Sequence, residues 1–83
     1  MTNQEVYQTL DKILPVVDRV HGEHHPELHE VLALYNELKE APSSELFDKL
    51  RNITGCYTSP ADACPTYEKA YALLRALDEA VSG

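Results

Sequence analysis

The sequence predicts an all-α fold: a small antiparallel four-helix bundle with a longer loop between helices three and four. Three observations carry that prediction. Apolar residues recur at three- and four-residue steps in four separate segments, the repeat that lines one face of a helix. Capping residues, prolines or glycines stand between those segments. No segment alternates apolar and polar residues cleanly over more than a few positions, so strand signals are missing. Four amphipathic helices with mostly short connections pack as antiparallel neighbours.

Thr2-Asn3-Gln4-Glu5 reads as a capping box, with Thr2 accepting the Glu5 amide and Glu5 reaching back. Val6, Leu10, Ile13, Leu14, Val17 and Val20 follow as one stripe, giving a first helix over about 3–21. Pro15 removes one backbone donor inside it and predicts a kink. Gly22 is the expected stop. Pro26 suits the first turn of a second helix over about 26–40, where its missing N–H costs nothing. Glu27 and Glu30 favour that positive end. Leu28, Val31, Leu32, Tyr35 and Leu38 make its buried face. Ala41-Pro42-Ser43-Ser44 breaks the chain and caps a third helix over about 44–54, with Leu46, Phe47, Leu50 and Ile53 in step and Gly55 as its end. The long connection to Pro65 contains Pro60, and Asp62 is the expected cap of helix four. Tyr67, Ala70, Tyr71, Leu74, Leu77 and Val81 form the fourth stripe, over about 65–81. Leu10, Leu14, Val17, Leu32, Tyr35, Leu50, Leu74 and Leu77 are the expected core.

With 83 residues there is room for one helical domain, 1–83, and 43% hydrophobic residues supply a core for it. A core this small gives marginal stability, so a homodimer or a metal staple would help. The net charge of −7 repels phosphate backbones and anionic membranes and fits a basic protein partner. No apolar run approaches a membrane span, and the N-terminus does not read as a signal peptide. The expected location is therefore the cytoplasm, where Cys56 and Cys64 stay reduced. Their spacing matches no common zinc pattern.

All four histidines lie within nine residues, in the run His21-Gly22-Glu23-His24-His25-Pro26-Glu27-Leu28-His29. Imidazole is the commonest metal ligand, and His25 and His29 have the spacing that places two side chains on one helix face. His21, His25 and His29, with a carboxylate, are thus candidate ligands for one iron or zinc ion. The competing reading is a turn stiffened by solvent-facing histidines that cap carbonyls. The cluster lacks the HExxH order of a metalloprotease. Cys64, just ahead of a helix start, is a candidate reactive thiol, and a small packing residue is the plainer alternative. The five tyrosines read as core bodies with wet hydroxyl tips. No Gly-rich phosphate loop and no catalytic triad is evident.

The stretch from Ile53 through Thr54, Tyr57-Thr58-Ser59-Pro60 and Asp62-Ala63-Cys64 to Tyr67 resembles a segment of the Ric-type iron–sulfur cluster repair proteins, which are hemerythrin-like. Val20-His21-Gly22-Glu23-His24-His25-Pro26-Glu27-Leu28 resembles a segment of some of their relatives. The helix that follows the first stretch resembles the family too, with Tyr71, Leu74 and Leu77 in step, and with it the two segments cover about half the chain. The resemblance implies a four-helix scaffold with two irons between the helices, held by inward histidines and glutamates. Helices three and four contain no histidine here, and Glu40 occupies one expected ligand-histidine position. The last ligand pair of the family would fall just beyond Gly83. The resemblance therefore implies a short relative that keeps the loop and the scaffold without the di-iron set. Such a protein is expected to act in cluster repair or stress response by binding protein or metal, not by di-iron chemistry of its own. The alternative is a helical interaction or regulatory module unrelated to iron.

Overall fold

The computed structural model describes residues 2–82. It contains α1 (Asn3–His21), α2 (Glu27–Glu40), α3 (Ser44–Thr54) and α4 (Pro65–Ser82), with no strand among the described residues. The capping box at Thr2 forms in both directions: the Thr2 hydroxyl accepts the Glu5 amide at 3.2 Å, and the Glu5 carboxylate accepts the Thr2 amide at 3.3 Å. Ser43 caps α3 by accepting the Leu46 amide. Pro26 stands just outside α2, as its N-cap and without a side-chain cap bond, so this helix starts one residue later than its pattern suggests. α1 continues as one helix through Pro15.

The helices form a four-helix bundle. α1 packs most extensively on α4, then α2 on α3 and α1 on α2, and the α3–α4 contact is the least. The last residue of α1, His21, meets Cys64 just ahead of α4, so these two helices run antiparallel. Tyr35 in α2 donates its hydroxyl to the Tyr7 carbonyl near the start of α1, which sets α1 and α2 antiparallel as well.

Seven of the eight expected core residues are buried: Leu10, Leu14, Val17, Tyr35, Leu50, Leu74 and Leu77. Leu32 is the exception. It is only partly buried, and Leu34 is buried beside Tyr35 instead. α2 is covered by α1 on one side and α3 on another, so its apolar face is centred closer to Leu34 than the sequence stripe places it. Leu73 joins the core of α4. Val20 and Val81, at the ends of their stripes, are 60% and 46% exposed, because each lies in the last turn of its helix.

The α3–α4 connection is more than a loop between neighbours. Gly55, Cys56 and Tyr57 all take left-handed φ angles, of 60°, 59° and 63°. Gly55 does so without strain, whereas the two side-chain-bearing residues do so at a cost. Hydrogen bonds hold the turn. The Thr54 hydroxyl accepts the Tyr57 amide at 2.9 Å, and the Arg75 guanidinium donates to the Cys56 carbonyl at 2.8 Å. The Tyr57 hydroxyl donates to Asp78 at 2.8 Å. Asp78 also receives Arg51 through both Nε and Nη2, at 2.6 and 2.9 Å, so a buried carboxylate is matched by a fork-shaped cation and a phenol. Asp78 and Arg75 belong to the C-terminal half of α4. The connection therefore begins there and travels back along α4 to Cys64 at its N-terminus.

Candidate functional site

The turn after α1 and the end of the α3–α4 connection meet at one end of the bundle. Gly22 caps α1 in a right-handed conformation, not the left-handed one expected of a glycine stop, and its amide bonds to the Asp18 carbonyl. The chain keeps turning because the His24 and His25 amides both donate to the His21 carbonyl. Close approach is what this position requires. A Cβ at Gly22 would collide with the Asp18 carbonyl oxygen and lie 3.0 Å from His29 Cε1.

The tight turn fans the histidines out to different partners. His21 Nε2 lies 3.3 Å from Cys64 Sγ. His25 Nε2 lies 3.0 Å from both Asp62 carboxylate oxygens, with Glu27 Oε1 3.7 Å from its Nδ1. His29 Nδ1 lies 2.6 Å from Asp18 Oδ1, a buried oxygen that finds no well-directed hydrogen bond. His24 is exposed. Asp62, expected to cap α4, instead turns its carboxylate to His25, and Pro65 at the helix start has no amide to offer it. The hydrogen bond from His25 holds the Asp62 carboxyl below its ordinary value, and the fields of His25 and His21 add to the effect.

Tyr67 forms the floor of this site. Its ring is buried and stands edge-on to His21 at 5.0 Å, to His25 at 5.8 Å and to Tyr71 at 5.0 Å between centroids. Burial pushes the Tyr67 and Tyr71 phenols up, so neither is suited to give up its proton near neutrality. Cys64 is half-buried above this floor and Cys56 is exposed; neither is bridged.

The three histidines expected to share one ion are thus not brought together. Among the described residues no group of three or more His, Cys, Asp or Glu side chains is placed to hold a metal ion. The physical reason is the turn: His29 is drawn to Asp18 of α1, while His21 and His25 face the loop before α4. The interior does not fit a di-iron centre either. Leucine, valine, phenylalanine and tyrosine side chains fill it, and Thr54 and Asp78 are its buried polar or charged residues among those described.

What the structure joins is two pairs, Cys64 with His21 and Asp62 with His25. Cys64 and His21 were both legible as candidates in the sequence, but for separate sites. Their pairing spans 43 positions, and no local pattern reports it. Asp18, Asp62 and Tyr67 carried no site signal of their own, although Asp62 and Tyr67 lie in the segment that resembles the repair proteins. No protein-family model, curated protein or solved structure matches the chain.

Proposed function

We propose that the chain is a small helical binding protein of the iron–sulfur cluster repair kind, working through one end of its bundle and not through an interior di-iron centre. One observation supports this reading above the others. The two segments that resemble the repair proteins, 20–28 and 53–67, are far apart in the sequence, yet they touch through His21–Cys64 and His25–Asp62. A resemblance confined to unrelated surface stretches would have no reason to converge on one cluster. Thiol and imidazole are donors that iron and zinc both accept. Two such donors leave most of an ion's coordination positions free, which suits a protein that receives or hands over a single ion as cargo. The acidic surface, with net charge −7, fits a basic protein as the other party to that exchange.

The test is reactivation of an oxidant-damaged dehydratase containing a four-iron cluster, with ferrous iron and a thiol reductant present. The intact chain is expected to speed recovery, and the double variant H21Q/C64S is not. Equal recovery with and without the chain removes the reading. It would leave a helical interaction module unrelated to iron, a reading favoured by the lack, among the described residues, of a third convergent ligand.

A further inference from the structure

Cys64 and His21 are supplied by different helices, and the fold alone brings them together. His21 closes α1, and Cys64 immediately precedes α4. With its proton on Nδ1, the His21 ring presents a bare Nε2 to the thiol 3.3 Å away. The Tyr67 ring edge holds the imidazole in place. A thiol within hydrogen-bond reach of an imidazole that a third group holds in place is the arrangement of an activated sulfur nucleophile.

We propose that Cys64 and His21 form a thiol–disulfide exchange site that takes a low-molecular-weight disulfide. His21 Nε2 accepts the Cys64 proton. The thiolate attacks one sulfur of the small disulfide, and a new bond from Sγ forms as the old S–S bond breaks. The departing sulfur leaves with the electron pair and takes the proton back from His21. Cys64 is thereby oxidised to a mixed disulfide, and the other half of the reagent is reduced to a thiol. This chemistry suits a half-buried sulfur because it needs one open line of attack and no pocket for a tetrahedral intermediate. The exchange uses the same two side chains as the proposed ion transfer but needs no metal, so its readout stands apart from that reading.

Cys56 makes the proposal testable within one chain. It is the more exposed thiol, so accessibility alone predicts that it reacts first. The full chain is treated with oxidised glutathione at neutral pH, and each cysteine is followed by mass spectrometry. Cys64 is expected to acquire the glutathionyl group about tenfold faster than Cys56. H21Q should slow Cys64 about tenfold while leaving Cys56 unchanged. H29A, on the same turn but paired with Asp18, should change neither rate. Faster reaction at Cys56 in the unmodified chain overturns the proposal. So does an unchanged Cys64 rate in a folded H21Q variant. If H21Q does not fold, the order of the two thiols in the unmodified chain decides, together with the C64S variant, which should lose the fast phase.

Discussion

At Tyr57 a single hydroxyl links two costs. The residue sits in a left-handed conformation that its side chain disfavours, and its hydroxyl helps satisfy the buried Asp78 carboxylate. Burial pushes the Tyr57 phenol up, and the hydrogen bond to Asp78 pushes it further, so it stays protonated and donating across the physiological range. Tyr57→Phe keeps the ring and removes the donor. It should cost about 1–3 kcal/mol, the usual loss for a buried hydrogen bond to a charged group. Urea unfolding would show it, and a midpoint within error of the parent would mean that Asp78 is satisfied without the phenol. Gly22 poses a different residue-scale question, one of space. Gly22→Ala drives a methyl group against the Asp18 carbonyl and His29, and should cost about 1–3 kcal/mol through overpacking. If its thermal midpoint matches the parent, the turn relaxes freely and the fanning of the histidines is not imposed by that close approach.

α4 is the element on which the rest depends. It makes the most extensive contact with α1, supplies Tyr67 to the candidate site at one end, and supplies Asp78 to the Arg51–Tyr57 cluster toward the other. Its stripe of Tyr67, Ala70, Tyr71, Leu74, Leu77 and Val81 was legible in the sequence, and all but the terminal Val81 are buried. Leu74 is fully buried, so Leu74→Ala should cost about 2–5 kcal/mol by leaving a cavity in a small core. A thermal shift no larger than that of a surface substitution such as Glu68→Ala would show that α4 is not packed in this way. Asp78, one turn from the end of that stripe, was not legible as a core residue. A carboxylate on a helix face reads as solvent-facing until its cation and phenol are known, and here they come from α3 and the turn after it.

For the whole molecule, carboxylates with partners make stability depend on acid. The hydrogen bond from Lys39 holds Asp11 below its ordinary value, aided by Tyr35. His25 does the same for Asp62. A carboxyl whose value is lowered by folding contributes stability that is fully present above its unfolded value, about 3.9 for aspartate, and that contribution is lost as pH falls through the lower folded value. The thermal midpoint should therefore drop as pH falls below about 4, and the double variant D11N/D62N should show a shallower acid limb. A limb of unchanged slope would assign the loss to other carboxylates. Both residues are largely solvent-exposed, so added salt should weaken the effect.

The sequence by itself determined the four helices, the N-terminal caps of the first and third, and most of the core. Those features are written in short range: a capping box spans four residues, and an amphipathic stripe repeats every three or four. Even the two candidate groups of the site, the histidine run and Cys64, stood out in composition and position. Only the tertiary structure decided how they combine. It separated His29 from His21 and His25, joined His21 to Cys64, and turned Asp62 from a cap into a partner of His25. It also carried the α3–α4 connection from Asp78 back to the start of α4. Each of those outcomes depends on contacts between residues dozens of positions apart. They are settled by how the helices pack and by which buried charges find partners, and no periodicity along the chain encodes that.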